Sequence, residues 1–250
     1  MDGTLYLGDK LFVDTVPFLE KIRNKGAKYV FLTNNSSKST ENYVQKLSKL
    51  GIKANSEDFL TSTDATVTYI KRNYPDVLFY SMGTKSFNSQ LENSGIKITE
   101  DYADGIGGVI ISNDTELTFK KLDDVSRLLL IGNPVYIATN PDTTCPTEYG
   151  YVPDCGSFAE ILFKATGKKP YFIGKPKAEM VWLAMDKFGY TPAETVIIGD
   201  RIYTDIAAGV NAGVDAVLVL SGESTLEDLK DSDVRPTFVY ESISDVKNII

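Results

Sequence analysis

Short apolar runs alternate with amphipathic helical patterns along most of this chain. Tyr29–Leu32 is one apolar run, and Thr195–Ile198 and Ala216–Leu220 are two others near the C-terminal end. Between the runs, apolar residues recur at helical spacing, as in Tyr43–Leu50, a segment that Gly51 ends. Strands that alternate with crossover helices are typical of parallel sheets. The pattern therefore predicts an α/β fold.

The strand and helix rhythm restarts twice, which predicts a second folding unit inserted into the first. It restarts with the strand Val77–Met82 and again near Gly174. The intervening segment has its own strands, at Val109–Ser112 and Val135–Thr139. The sequence therefore predicts a separate small α/β unit in the middle of the chain.

The charge balance limits the classes of partner. The 250 residues include 26 basic and 34 acidic side chains, with a formal net charge of -8. Nucleic acids and anionic membranes attract basic proteins, so neither is an expected partner. No apolar run approaches the ~18 residues of a membrane span. We expect small-molecule partners and leave open whether the chain forms a homodimer.

The rare residue types exclude several chemistries. There is no histidine, so Ser-His-Asp hydrolysis and histidine metal sites are impossible. Cys145 and Cys155 are too few for a disulfide scaffold, which favours a reducing cytoplasm. Acid and base roles must therefore belong to carboxylates, lysine or tyrosine.

Four polar clusters fall where a predicted strand ends or a helix begins, the usual place for an α/β active site. Each alone could be a turn, a helix cap or a surface loop. Together they offer oxygen ligands for magnesium, neutral donors for phosphate oxygens and a cation for developing charge, which are the needs of phosphoryl transfer. The clusters are Asp2-Gly3-Thr4, Thr33-Asn34-Asn35, Gly174-Lys175-Pro176, and Gly199-Asp200-Arg201 with Asp205.

In order and composition, these clusters resemble the four motifs of the haloacid dehalogenase (HAD) superfamily, in its NagD-like and p-nitrophenyl-phosphatase-like branch. The resemblance covers nearly the whole chain. It implies a Rossmann-like parallel-sheet core formed by residues 1–75 and 173–250, with an inserted α/β cap domain at residues 76–172. It also implies Mg²⁺ as the cofactor and a small phosphorylated metabolite as the substrate.

The resemblance assigns roles to the charged residues. Asp2 would be the general acid and base and would offer its backbone carbonyl to Mg²⁺. Asp200 would bind the metal through its side chain, and Asp205 would be a supporting carboxylate. Lys175 would neutralise the phosphorylated intermediate.

The resemblance also assigns the substrate contacts. Thr33 and Asn34, with Gly3 and Asn35, would bind the transferring phosphate. Asn140 and Asp142 in the cap would contact the rest of the substrate, as would the loop of residues 154–156. A turn role is equally compatible with Asn140 and Asp142.

One position departs from the family pattern. The first motif is Asp-x-Asp-Gly-Thr, whose first aspartate is the nucleophile, and Met1 occupies the x position here. We therefore expect that the functional polypeptide carries an apolar strand and an aspartate before Met1.

The resulting expectation is a Mg²⁺-dependent phosphatase that hydrolyses small phosphomonoesters, such as sugar phosphates, nucleotides or phosphoglycolate, through an aspartyl phosphate. The first alternative is a catalytically inactive binding protein on the same fold. The second is a phospho-accepting receiver domain, which shares an acidic cluster, a threonine and a lysine. A compact receiver lacks the long α/β segment between Thr33 and Lys175.

Overall fold

The computed structural model describes residues 1–37, 40–147 and 149–249. Its strands are β1 (Tyr6–Leu7), β2 (Lys10–Leu11), β3 (Phe31–Thr33), β4 (Phe59–Thr61), β5 (Phe79–Met82), β6 (Ile98–Thr99), β7 (Gly108–Ile111), β8 (Val135–Ala138), β9 (Thr144–Thr147), β10 (Gly150–Pro153), β11 (Tyr171–Phe172), β12 (Val196–Gly199), β13 (Asp215–Val219) and β14 (Phe238–Tyr240).

The helices are α1 (Thr15–Asn24), α2 (Thr40–Lys49), α3 (Ser62–Asn73), α4 (Lys85–Asn93), α5 (Phe119–Ile131), α6 (Cys155–Thr166), α7 (Glu179–Phe188), α8 (Ala207–Ala212), α9 (Leu226–Asp231) and α10 (Ile243–Ile249). A π-helical turn, Ile202–Ile206, precedes α8.

The chain divides into two compact units. The first unit comprises Met1–Thr33, Thr40–Leu60 and Lys175–Ile250, and the second comprises Asn34–Ser39 and Thr61–Gly174. The predicted cap began at residue 76, whereas the second unit already includes α3.

Side-chain contacts explain why α3 belongs to the second unit. The amide of Gln90 on α4 donates a hydrogen bond of 2.9 Å to Asp64 on α3. The ring of Tyr69 on α3 stacks on Tyr171, with 5.1 Å between their centroids. Helical periodicity predicts which face of a helix is buried, but it does not identify the sheet against which that face packs. The assignment of residues 76–172 as a cap stays a prediction.

The first unit contains parallel strands covered on both faces. Its sheet has the order β12-β13-β14, and β3 pairs with β4 separately. Along β13, Val217 and Val219 enter one apolar cluster with Phe31 of β3, while Ala216 and Leu218 enter another beneath α7 and α8. Successive strand residues point to opposite faces. Both faces of β13 are therefore buried, as the continuous apolar run requires.

The second unit contains a parallel sheet in the order β11-β8-β7-β5-β6. Its apolar cluster fills the space between this sheet and the helices α5 and α6, and includes Tyr80, Ile111 and Leu162. The α/β fold and the parallel pairing predicted from the sequence are confirmed.

Two antiparallel hairpins were not predicted. One pairs β1 with β2, and the other pairs β9 with β10. β1 and β2 have two residues each, and β10 is mostly exposed, so these strands lack the buried apolar runs on which the prediction relied. Within residues 1–37, 40–147 and 149–249, every helix is too short or too polar to cross a bilayer.

Adjacent leucines on α5 provide a matched test of the second unit's core. Leu129 is 2% exposed, and Leu130 is 62% exposed. We expect Leu129→Ala to lower the free energy of unfolding by about 2–5 kcal/mol because it leaves a cavity. We expect Leu130→Ala to change it by less than about 0.5 kcal/mol. Denaturant unfolding measures both, and equal losses would contradict this packing.

Candidate active site

A buried ion pair joins two of the predicted site residues in the first unit. The Lys175 ammonium lies 2.5 Å from Oδ1 of Asp205, and their side chains are only 8% and 11% exposed. Asp205 stands on the π-helical turn after β12, and its Oδ2 accepts a hydrogen bond from the backbone N–H of Arg201. Burial is the largest single effect and acts to raise the pKa of Asp205, but the charge and hydrogen bond of Lys175 and the N–H of Arg201 act together to hold that pKa below its ordinary value.

Asp200 follows β12 directly and is buried beside this pair. Its Oδ1 accepts a hydrogen bond of 2.9 Å from the Thr4 hydroxyl, and its Oδ2 accepts one of 3.1 Å from the backbone N–H of Glu223. Burial raises the pKa of Asp200 above its ordinary value, although these two hydrogen bonds oppose the shift. The site therefore favours a positive charge near Asp200.

Residues 221–224, which follow β13, hold Asp200 in place. The Ser221 hydroxyl donates to the carbonyl of Gly3 at 2.8 Å, and the Ser224 N–H donates to the carbonyl of Asp200 at 3.1 Å. A Cβ at Gly222 would overlap the Asp200 carboxylate. Only glycine allows this close approach of the backbone to the carboxylate.

The Glu223 side chain also holds residues 221–224 in place. Its carboxylate pairs with Arg201 at 2.8 Å and accepts a hydrogen bond from the hydroxyl of Tyr203. Sequence reasoning missed residues 221–224, but a signal existed. The predicted strand Ala216–Leu220 ends immediately before Ser221, and β13 is the neighbour of β12.

The N-terminal residues complete the cluster in the first unit. The Met1 nitrogen is buried close to the carboxylates of Asp205 and Asp200. Gly3 has a φ of +78°, and a Cβ there would also overlap the Asp200 carboxylate. The Asp2 carboxylate accepts a hydrogen bond of 3.3 Å from the N–H of Gly8.

The second unit brings together another part of the predicted site. The Asn34 amide donates to Oδ2 of Asp142 at 3.0 Å. The Asn140 amide donates to the carbonyl of Asn34 at 2.8 Å, and Oδ1 of Asn140 accepts from the N–H of Asp142 at 3.0 Å. The Asn34 amide, which was expected to bind phosphate, is thus bonded to a carboxylate here.

The remaining predicted positions have local roles in the structure. Thr33 is the last residue of β3. The side-chain oxygen Oδ1 of Asn35 accepts hydrogen bonds from both the N–H and the hydroxyl of Ser37, as in an Asx turn. In the loop of residues 154–156, a Cβ at Gly156 would overlap the carbonyl of Pro141. Burial raises the pKa of the Cys155 thiol to about 12, so this cysteine is a poor nucleophile.

The donors near Asp200 fit a hard divalent cation. Mg²⁺ binds through one or two carboxylates together with water and substrate phosphate. Asp200 supplies a buried carboxylate, and the absence of side chains at Gly3 and Gly222 leaves room for it beside their backbone. In the part of the chain that the structure describes, no three acidic or cysteine side chains cluster as a metal site.

Comparison with known proteins shows where the chain belongs. The haloacid dehalogenase-like hydrolase family matches residues 1–97, and the HAD-hydrolase-like family matches residues 172–246. The acid sugar phosphatase of Staphylococcus aureus (strain MRSA252) is 33% identical over 245 residues, which cover 98% of this chain and 93% of that protein.

The chain belongs to the haloacid dehalogenase-like hydrolases.

Solved structures agree with this assignment. The 4-nitrophenylphosphatase of Thermotoga maritima superposes with a TM-score of 0.93 at 35% identity, covering 99% of this chain and 94% of that one. NagD from Escherichia coli K-12 gives a TM-score of 0.89 at 30% identity, over 98% and 95% of the two chains. The predicted superfamily and branch are confirmed.

A third structure carries a metal. The glycerol phosphate phosphatase of Mycobacterium tuberculosis, in complex with magnesium, has a TM-score of 0.91 at 26% identity. It covers 98% of this chain, which spans 74% of that one. A calcium complex of the same enzyme is equally similar in fold, with a TM-score of 0.90.

Neutralising Asp205 and neutralising Asp200 should have different effects on the free energy of unfolding. Asp205→Asn leaves the Lys175 charge buried without its partner, so we expect a loss of about 3–5 kcal/mol in the free energy of unfolding at neutral pH. Because the pKa of Asp205 is lowered in the folded state, its contribution is present above the ordinary value of 3.8 and is lost as the pH falls through the folded value. Denaturant unfolding across pH measures the loss.

Asp200→Asn is the matched control. Because the pKa of Asp200 is raised on folding, its charge costs stability above the ordinary value. We expect this variant to unfold at the same denaturant concentration as the parent at neutral pH, or at a higher one. A large loss in Asp200→Asn, or none in Asp205→Asn, would contradict the electrostatic assignment.

Proposed function

We propose that this hydrolase is a Mg²⁺-dependent phosphatase that hydrolyses small phosphomonoesters through an aspartyl phosphate. The observation that carries the proposal is the buried Asp200 carboxylate beside the Lys175–Asp205 pair. Asp200 accepts these hydrogen bonds from a hydroxyl and a peptide N–H, which are neutral donors. Its negative charge therefore favours a bound cation. A reducing cytoplasm stays the expected compartment.

The nucleophilic carboxylate that we propose would act beside Asp200, Asp205 and Lys175. The Met1 nitrogen is buried close to these three residues, so the first motif lies among the groups that stabilise phosphoryl transfer. The carboxylate oxygen would attack phosphorus while the ester P–O bond breaks, and water would then attack phosphorus to release inorganic phosphate and restore the carboxylate.

Asp2 would move the protons of both steps. It would donate a proton to the departing alcohol oxygen and take one from the attacking water. Its side chain is 40% exposed and lies 3.9 Å from the Lys46 ammonium, so it can exchange protons with solvent. Asp205 would keep Lys175 charged and oriented toward the phosphoryl group.

Asp200 and the Asp2 carbonyl would hold the magnesium ion. When bound, the ion supplies positive charge that offsets the charge on the phosphoryl oxygens. Gly222 and the N–H of Glu223 keep the Asp200 carboxylate oriented for this role. Thr33, Asn34 and Asn35, with Gly3, are the proposed phosphate contacts.

The second unit would select the substrate. Asn140 is fully buried and fixes both the carbonyl of Asn34 and the N–H of Asp142. The carboxylate of Asp142 is thereby held as a hydrogen-bond acceptor, which suits the hydroxyl groups of a sugar or polyol phosphate. The acid sugar phosphatase and the glycerol phosphate phosphatase are named for substrates of this kind.

Turnover and metal binding test the proposal together. We expect Mg²⁺-dependent phosphate release from 4-nitrophenyl phosphate and glycerol phosphate, and none in EDTA. Asp200→Asn should reduce turnover by at least about 10²-fold because it removes a metal-ligand charge. It should also weaken Mg²⁺ binding measured by calorimetry.

The control is Asp215→Asn, which changes an exposed carboxylate at the other end of the adjacent strand β13. It should leave turnover and Mg²⁺ binding unchanged. Parent-like turnover of Asp200→Asn at limiting Mg²⁺ would overturn the metal assignment. A stable, metal-binding parent without any turnover would favour the inactive binding protein.

Asp142 provides a separate test of substrate selection. We expect Asp142→Asn to lower kcat/KM for glycerol phosphate and sugar phosphates by about tenfold, the cost of a hydrogen bond to a charged group. The rate on 4-nitrophenyl phosphate, which has no hydroxyl group on its leaving group, should change by less than threefold. Equal losses on all substrates would instead place Asp142 in the chemical step.

A further inference from the structure

The second unit contains a cavity of about 350 Å³ that the proposed chemistry does not use. It lies where β8 and β11 begin, and Val135 and Tyr171 line it. Asn140 and Asp142 follow the opposite, carboxyl end of β8. The cavity is therefore distinct from the candidate site residues of this unit, and its size is in the range of small-molecule sites.

One wall of the cavity is a row of aromatic rings. Tyr69 and Tyr171 stack with 5.1 Å between centroids and 17° between planes, and Tyr74 lies 6.1 Å from Tyr69. Tyr74 in turn contacts the fully buried ring of Phe79 edge-on at 6.5 Å. The rings are thus ordered by one another, and they can offer apolar faces to a planar ligand at low entropic cost.

The charge on the lining is positive. Lys168 and Lys169 line the cavity, and the lining contains no acidic residue. In the part of the chain that the structure describes, neither lysine forms an ion pair within 4.0 Å, and the Lys169 ammonium lies 4.8 Å from the centre of the Phe163 ring. The two ammonium groups can therefore attract an anion.

We propose that this cavity binds a small aromatic anion, a planar ring that carries a phosphate or carboxylate group. The ring would pack on the wall formed by Tyr69, Tyr74 and Tyr171, and the anionic group would bind between the lysines. This site is independent of the proposed phosphatase activity.

Calorimetric titration tests the site. The probes are adenosine 5′-monophosphate and 4-hydroxybenzoate, in EDTA so that Mg²⁺-dependent hydrolysis does not occur. We expect saturable binding of at least one probe below 1 mM. Adenosine, which lacks the anion, and inorganic phosphate, which lacks the ring, should each bind at least tenfold more weakly than adenosine 5′-monophosphate if that is the ligand that binds. Phenol, which lacks the carboxylate, is the corresponding control for 4-hydroxybenzoate.

Variants locate the binding. The double variant Lys168→Ala/Lys169→Ala changes exposed side chains and should weaken binding at least tenfold. Lys164→Ala, an exposed lysine of α6 outside the lining, should have no effect. The proposal is overturned if neither probe binds, if the double variant binds as the parent does, if Lys164→Ala weakens binding equally, or if inorganic phosphate binds as tightly as the aromatic anions.

Discussion

The buried ion pair between Lys175 and Asp205 is the constraint on which the candidate site depends. At an effective dielectric constant of about 20, two unit charges 4 Å apart interact by about 4 kcal/mol, so unpaired carboxylates could not be grouped here at low cost. Lys175 satisfies Asp205, which leaves Asp200 with neutral donors and a raised pKa. The buried Asp200 carboxylate can therefore bind a cation.

The lack of side chains at two glycines leaves room for the Asp200 carboxylate. Two glycines, Gly3 and Gly222, approach the Asp200 carboxylate so closely that any side chain would displace it. The segments that carry them are tied together by the hydrogen bond from Ser221 to the Gly3 carbonyl. The carboxylate is therefore positioned by rigid peptide groups, which suits a role that requires a fixed ligand.

The fold class and most of the charged site could be predicted from the sequence because both depend on local patterns. Apolar runs mark β12 and β13, and Asp200 follows the first of them directly. The role of residues 221–224 depends on which strands are neighbours, which periodicity does not determine. The pairing of Asn34 with Asp142 likewise joins residues 108 positions apart. The grouping of α3 with the second unit depends on ring stacking between Tyr69 and Tyr171, which no local pattern reports.

Detection of the phosphorylated enzyme tests the central claim most directly. The enzyme would be mixed with 4-nitrophenyl phosphate and Mg²⁺, quenched in acid within milliseconds, and digested for mass spectrometry. We expect one added phosphoryl group on an aspartate side chain, and its loss on treatment with hydroxylamine. Rapid turnover without any phosphorylated aspartate, or with the phosphoryl group on another residue type, would contradict an aspartyl-phosphate mechanism.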